Sequence, residues 1–187
     1  DHDAIYRGAR PYAEETLLYP RQAVHAGKVE EVVNFKNTGR ALLDAHRLFA
    51  VMPDNMAMPN HLKDLPIVKE GATADEKRSR FEAPTTVRVA GSVPAAGGKL
   101  HFHFVNYNRE EPEKPKSPGK GTVDEKPIAT PAIVCDVRLP KEFKPSNVVA
   151  YTPESPSPLK LEWKVKDGRL SYTVPSFLVY SVVEVQP

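Results

Sequence analysis

The chain has 187 residues, of which 40% are hydrophobic and 27% charged, and its formal net charge is +2. With 26 basic and 24 acidic residues spread along the length, this balance excludes a field that favours nucleic acid or an anionic membrane, and no apolar run approaches the roughly 18 residues of a membrane span. Its single cysteine, Cys135, excludes an internal disulfide framework and a cysteine-based zinc cage.

The first part of the chain, residues 1–83, is predicted to form a small α/β element followed by a connector. Thr16–Tyr19 is an apolar run before a proline, which predicts a short buried strand. Lys28–Phe49 carries apolar residues at spacings of three and four, the pattern of one long amphipathic helix. Gly39 in its middle predicts either a close packing contact or a break. Ala50–Met52 is predicted to be a second strand, which completes a β-α-β start.

The composition changes twice after this start. Between Pro53 and Glu82 it shifts to Pro, Met, Asn and charged residues, which predicts a connector and no core. Residues 84–187 are then predicted to form an antiparallel β-sandwich of about seven strands, because apolar runs follow turns at intervals of about 8 to 12 residues. The predicted strands cover 85–89, 99–107, 133–139, 147–151, 159–165, 170–174 and 177–185.

The second of these runs, residues 99–107, shows the pattern most clearly. Leu100, Phe102 and Phe104 alternate with polar neighbours, so these three side chains are predicted to face a core. Later in the chain, Asp167-Gly168 is a strong signal for a two-residue hairpin turn. Cys135 shares the apolar face of its own run and is predicted to be a small buried hydrophobe.

His101 and His103 are the weak metal candidates of the sequence. Two imidazoles at positions i and i+2 of a strand point to the same side and can share a metal, as they do in cupin barrels. The next carboxylate, Glu110, follows seven residues after His103, which does not fit the cupin spacing. The pattern therefore favours a histidine pair on the less buried face of a sheet, and a metal-dependent enzyme using both histidines is kept as an alternative.

No catalytic motif in the sequence is complete. His-Glu-x-x-His and Gly-x-Ser-x-Gly do not occur, and no glycine-rich loop lies between a strand and a helix. Acidic pairs occur at Glu14-Glu15, Glu30-Glu31 and Glu110-Glu111, and they are interpreted as solvated charge because glycoside hydrolysis needs two carboxyl groups facing each other across the scissile bond. We therefore predict no catalytic residue and no cofactor.

A polar excursion at residues 108–129 is longer than most structureless loops in compact domains. It holds five basic and five acidic residues, so ion pairs within it can hold it in place. Two interpretations stay open, a binding or interface role and a mobile insert. The candidate binding residues are Tyr107, Asn108, Arg109, Glu110 and Glu111.

Several stretches resemble a known group of proteins. Leu100–Pro112 resembles the strand that opens the C-terminal β-sandwich of large bacterial glycoside-hydrolase-like proteins, and Asp136–Pro140 and Val174–Tyr180 fit later strands of that domain. Ala13–Arg21 and His46–Asp54 are similar to the start of the amidotransferase-like α/β domain that precedes the sandwich in such proteins.

The resemblance implies a secreted bacterial protein, in the periplasm or outside the cell, whose role is accessory. The (β/α)8 barrel that carries the catalytic residues in such proteins has no counterpart in this sequence, so the resemblance assigns no catalytic residue to it. It implies a non-catalytic region that supports a catalytic barrel or partner subunit, with carbohydrate or a second copy of the chain as further possible partners and no nucleic acid.

The principal alternative is a free-standing carbohydrate-binding module. Trp163, Tyr107 or Tyr151 would then serve as a stacking platform for sugar rings. Trp163 shares the apolar face of its strand, which favours a place in the core. An exposed row of aromatic side chains on one sheet face would support the binding module, whereas a large apolar patch without such a row would support the accessory role.

Overall fold

A computed structural model describes residues 3–72, 75–110 and 126–187 and shows a mainly β protein. The helices are α1 (Asp3–Tyr6), α2 (Arg21–His25) and α3 (Val29–Asp44). The strands are β1 (Arg10–Tyr12), β2 (Glu15–Tyr19), β3 (Phe49–Pro53), β4 (Ile67–Val68), β5 (Arg80–Glu82), β6 (Val87–Val93), β7 (Leu100–Asn106), β8 (Arg109–Glu110), β9 (Lys126–Pro127), β10 (Ile133–Arg138), β11 (Asn147–Tyr151), β12 (Leu159–Lys160), β13 (Trp163–Lys166), β14 (Arg169–Val174) and β15 (Tyr180–Gln186). In this part of the chain we find no helix long and apolar enough to cross a membrane.

The largest sheet has six antiparallel strands in the order β1-β6-β7-β15-β11-β12. Strand β7 lies between β6 and β15, so both of its edges are paired. Leu100, Phe102 and Phe104 are at most 2% exposed, which confirms that these side chains face a core. A strand paired on both edges and apolar on one face is the element on which this core is built.

A second antiparallel sheet of four strands, in the order β13-β14-β10-β5, supplies the other side of that core. Its buried side chains and those of the six-stranded sheet form one hydrophobic cluster. The rings of Phe102 and Tyr172 lie 6.4 Å apart across this cluster. Cys135 is fully buried in it, which confirms the predicted buried hydrophobe, and burial raises the pKa of its thiol.

The predicted strand over residues 159–165 is wrong, because two strands of different sheets occupy this stretch. β12 pairs with β11 in the six-stranded sheet, and β13 pairs with β14 in the four-stranded sheet. Between them Leu161 is buried, and its N–H donates to the carbonyl of Val148. A strand that changes sheets at a bend closes the corner of a core, and alternation of polar and apolar residues does not reveal such a bend.

The β-α-β start is confirmed. β2 is the central strand of a three-stranded parallel sheet, β3-β2-β4, and the connection from β2 to β3 contains α2 and the longer helix α3. Helix α3 continues without a break through Gly39, and an added Cβ atom there would lie 3.4 Å from Cδ2 of Leu17, an ordinary van der Waals contact, so the structure shows neither the predicted break nor the predicted close packing contact.

Helix α3 ends at Asp44, five residues before the predicted end at Phe49. The reason is a left-handed residue, since His46 has a φ of 52°. The N–H of Arg47 donates to the carbonyl of Leu42, and the N–H of His46 donates to that of Leu43. This pair of bonds terminates the helix as in a Schellman motif.

The segment from Pro53 to Glu82, predicted as a connector, contributes strands β4 and β5. It also supplies buried side chains, among them Leu62 at 3% and Phe81 at 7% exposure. Phe81 lies with its ring centre 5.9 Å from that of Phe104, inside the shared core. The segment is therefore part of the packed structure.

The interpretation of Glu14-Glu15 as solvated charge is wrong, because both side chains are buried. Glu15 forms ion pairs of 3.0 Å with Arg47 and 3.3 Å with Arg78. Glu14 accepts hydrogen bonds from the backbone N–H and the hydroxyl of Ser79. These partners lie 32 or more residues away along the chain, so they are not visible as a local pattern.

Candidate binding site

The predicted binding residues after β7 form a small ribbon at the edge of the fold. Tyr107 is 55% exposed, and Arg109 and Glu110 form β8, which pairs with β9. The amide of Asn106 holds the base of this ribbon, because its nitrogen donates to two backbone carbonyls and its oxygen accepts from the N–H of Asn108. Residues 111–125, including Glu111, lie outside the described residues. A binding role for the ribbon stays a prediction.

A different cluster of aromatic and polar side chains lies on the face of the six-stranded sheet that points away from the core, which we call the outer face. Tyr151 on β11 is paired with Val182 on β15, and Val182 is paired with His103 on β7. Residues directly opposite each other in antiparallel strands point to the same side. These three side chains, of which Tyr151 and His103 are aromatic and Val182 is buried, therefore form a row across the middle of the outer face, which we call the aromatic row.

His101 lies with His103 on the outer face, the less buried face of β7 as predicted, but the His101 side chain itself is only 1% exposed. Its Nε2 is 3.0 Å from the carboxylate of Glu184, which also accepts two hydrogen bonds of 3.1 Å from Nζ of Lys99. Burial alone would raise the pKa of Glu184, but hydrogen bonds from Gln186, His101 and Lys99 hold it below its ordinary value. This paired cluster fills the sheet face beside the aromatic row.

His103 is the centre of a chain of hydrogen bonds. Its Nε2 is 2.8 Å from the hydroxyl of Ser92, and its Nδ1 is 2.7 Å from that of Tyr180. The hydroxyl of Tyr180 is in turn 2.8 Å from that of Tyr6. Burial, together with the nearby His101, lowers the pKa of His103 to about 4, so its ring is neutral at pH 7.

His101 and His103, the two candidate metal ligands, are hydrogen-bonded to different partners. The rings of His101 and His103 have centres 6.3 Å apart, and both nitrogens of His103 are engaged in hydrogen bonds. Within residues 3–72, 75–110 and 126–187, no group of three or more His, Cys, Asp or Glu side chains could hold a metal ion. The arrangement fits a structural role of both rings, and the metal-dependent enzyme stays an untested alternative.

Beside the aromatic row lies a groove of about 510 Å³, which we call the tyrosine groove. Its lining comes from α1, from the end of β11 with the following residues 152–158, and from the start of β15. Tyr6, at 53% exposure, is its most exposed aromatic side chain. The side chains that shape it are those of Tyr6, Tyr151, Tyr180, Pro153, Pro156 and Pro158.

The tyrosine groove is lined by uncharged side chains. Glu154 belongs to the same loop, but its carboxylate accepts hydrogen bonds from the hydroxyl of Thr152 and from the backbone N–H groups of Leu178 and Val179. It is therefore occupied in anchoring the loop to the chain segment before β15. The hydroxyl of Ser155 is engaged similarly, since it donates to the carbonyl of Ser157.

Of the three aromatic residues predicted as a stacking platform, only Tyr151 lines the tyrosine groove. Trp163 is partly buried against the hydrophobic core, as its apolar alternation predicts. Tyr6 and Tyr180 were not predicted as site residues. They lie 174 residues apart in the chain, and the only hint in the sequence was their side-chain type.

The chain was also compared with known proteins. No family model matches it, and no curated protein matches it. Among solved structures it is similar to alpha-L-fucosidase isoenzyme 2 from Paenibacillus thiaminolyticus, with a TM-score of 0.56 and 11% identity over 99% of this chain and 50% of that chain. A cycloisomaltooligosaccharide glucanotransferase of a Paenibacillus species matches 60% of this chain and 17% of its own, with a TM-score of 0.42 and 15% identity.

The likeness to the fucosidase is one of fold. At 11% identity it concerns the arrangement of the elements and does not extend to activity. This chain spans about half the length of the fucosidase and a smaller share of the glucanotransferase.

Proposed function

We propose that this chain is a non-catalytic accessory region of a carbohydrate-active protein, built as a small α/β element on a β-sandwich that the six- and four-stranded sheets form. The observation that carries the proposal is the fold likeness to the fucosidase, which extends over 99% of this chain and only 50% of that protein. In this proposal the catalytic residues reside outside the present chain, in a barrel or a partner subunit.

The state of the buried carboxylates supports a non-catalytic role. Glycoside hydrolysis needs one carboxyl group that can donate a proton and a second one that faces it across the bond. Among the described residues, the buried acids are Glu14, Glu15 and Glu184. Each of them accepts hydrogen bonds from neighbouring donors, so transfer of a proton to a substrate would require that these contacts break.

A free-standing carbohydrate-binding module is the second candidate. Tyr6, at 53% exposure, and the partly exposed Tyr151 favour it, because exposed aromatic side chains beside a sheet face are a feature of glycan-binding surfaces. The two candidates differ in whether the chain works beside a catalytic partner. The mass and composition of the native particle separate them, since an accessory region travels with a catalytic subunit or domain and a free-standing module does not.

The non-catalytic role is tested with the purified chain and a panel of nitrophenyl glycosides that includes the α-L-fucoside. We expect no release of nitrophenol above the buffer rate. Turnover that copurifies with the chain and is lost when Glu184 or Glu154 is replaced by Gln would contradict the proposal. The variant Glu30→Gln, at an exposed position of α3, is the control for unspecific effects of removing a carboxylate.

A further inference from the structure

We infer that the tyrosine groove binds an uncharged saccharide, with one face of a sugar ring stacked on Tyr6 or Tyr151. This deepens the proposed function, since it rests on the chain being carbohydrate-related and assigns the place and the ligand class. A tyrosine ring offers a large apolar surface with a polar hydroxyl at its edge. A sugar ring has the matching arrangement, with C–H groups on its faces and hydroxyls around its rim.

The exposure of the aromatic rings is the first support. Tyr6 is 53% exposed although its ring packs 5.7 Å from the ring of His103, so one side of it is held by the protein and much of the remainder faces solvent. Tyr151 is partly exposed at the end of β11, and both residues line the same groove. The groove, at about 510 Å³, falls within the range of typical small-ligand sites.

The second support is that the rings are fixed before any ligand arrives. Hydrogen bonds from Ser92 through His103 and Tyr180 to Tyr6 hold the hydroxyl of Tyr6 in place. The ring of Tyr180 stacks on His103 with an angle of 28° between their planes. A preorganised ring loses less conformational entropy on binding than a mobile one, and this favours affinity.

The third support concerns charge, and it selects the ligand class. The lining of the groove is uncharged, and Glu154 is turned towards backbone N–H groups. A sialylated, sulfated or uronic acid ligand would lose water around its charge there without gaining an opposite charge. Three prolines together with Thr152, Ser155 and Ser157 line the loop side, so the lining there combines rigid apolar surface with uncharged polar residues.

The test is binding of the fluorescently labelled full chain to an array of neutral, sialylated and sulfated glycans, followed by titration of the best glycan. We expect neutral glycans to be bound. Tyr6→Ala and Tyr151→Ala should each weaken binding at least about fivefold, the loss typical of an aromatic anchor. Tyr6→Phe keeps the ring and should retain most of the affinity. Met56→Ala removes a comparably exposed large side chain outside the groove and should bind like the unaltered chain.

Three results would overturn the assignment: no binding to any neutral glycan, preference for charged glycans, or unchanged binding by both alanine variants. Thermal unfolding of each variant shows whether a loss reflects unfolding, and Tyr151→Ala carries the test if Tyr6→Ala does not fold. These outcomes are distinct from failure of the proposed function. Turnover of nitrophenyl glycosides would end the non-catalytic role and leave the groove assignment standing.

Discussion

At the scale of single residues, His103 shows how a polar side chain on a sheet depends on its neighbours. It faces Ser92, Tyr180, Tyr6 and His101, and burial together with the nearby His101 disfavours its charged form. Its folded-state pKa of about 4 lies below the value of 6.5 for an unperturbed histidine. Between these two pH values the unfolded chain therefore binds more protons than the folded one.

The free energy of unfolding should therefore fall as the pH drops from about 7 towards 5, because protonation of His103 favours the unfolded chain. Urea titrations at pH 7, 6 and 5 measure this. In His103→Asn the loss should be smaller, whereas His25→Gln, at an exposed position of α2, should behave like the unaltered chain. An equally steep pH dependence in His103→Asn would contradict the prediction.

The series of titrations ends at pH 5 because of Glu184. The pKa of this carboxylate in the folded chain is below its ordinary value. Its ionised form therefore stabilises the fold at pH values above the ordinary pKa, and this stabilisation is lost as the pH falls through the lower, folded-state pKa. Above pH 5 the loss from His103 is therefore observed separately from the loss from Glu184.

At the scale of elements, two glycines illustrate how packing decides the effect of one methyl group. Gly39 lies inside α3, where a Cβ atom would be in ordinary contact with Leu17 at 3.4 Å. Gly91 lies in β6, where a Cβ atom would be 2.7 Å from the carbonyl oxygen of Tyr12 on β1. The close approach of β1 to β6 therefore depends on Gly91, whereas α3 does not depend on Gly39.

The variants of these glycines should change stability in opposite directions. Gly39→Ala should raise the free energy of unfolding by about 0.5–1 kcal/mol, because alanine favours the helix interior. Gly91→Ala should lower it by about 1–3 kcal/mol, because β1 must shift to relieve the contact. Chemical denaturation of both variants beside the unaltered chain measures the difference. If the free energy of unfolding changed in the same direction in both variants, the contacts at these glycines would differ from those described.

At the scale of the whole molecule, the α/β element and the β region are joined by shared structure. β1 pairs with β6, and β5 pairs with β10, so strands from the first 83 residues contribute to both the six-stranded and the four-stranded sheet. Leu48 lies in the same hydrophobic cluster as the sheets. The guanidinium of Arg169 donates to the carbonyl of Arg78 at 2.8 Å. The division into domains 1–83 and 84–187 stays a prediction.

This shared structure predicts one unfolding transition for the whole chain in scanning calorimetry, since neither part can lose its strands without exposing the core of the other. Leu48→Ala should lower the free energy of unfolding by about 2–5 kcal/mol and move that single transition. Leu159→Ala, at a position that is 38% exposed, should have a much smaller effect. Two separate transitions, of which Leu48→Ala moves only one, would instead support two independent domains.

The sequence by itself determined the features that depend on neighbours along the chain. Alternation placed Leu100, Phe102 and Phe104 in a core, and the apolar spacing with its flanking runs located the β-α-β start. These patterns are local because a strand or a helix repeats every two or about 3.6 residues. The resemblance to glycoside-hydrolase-like proteins likewise came from short stretches of strand.

Only the tertiary structure decided which polar side chains are buried and which aromatic side chains meet. Glu15 can be buried because Arg47, 32 residues away, neutralises its charge, and His101 can be buried because its ring is hydrogen-bonded to Glu184, 83 residues away. The hydroxyls of Tyr6 and Tyr180 meet although 174 residues separate them in the chain. The strand over residues 159–165 divides because two sheets close around one core. Desolvation and pairing act between atoms in space, so they have no fixed period in the sequence.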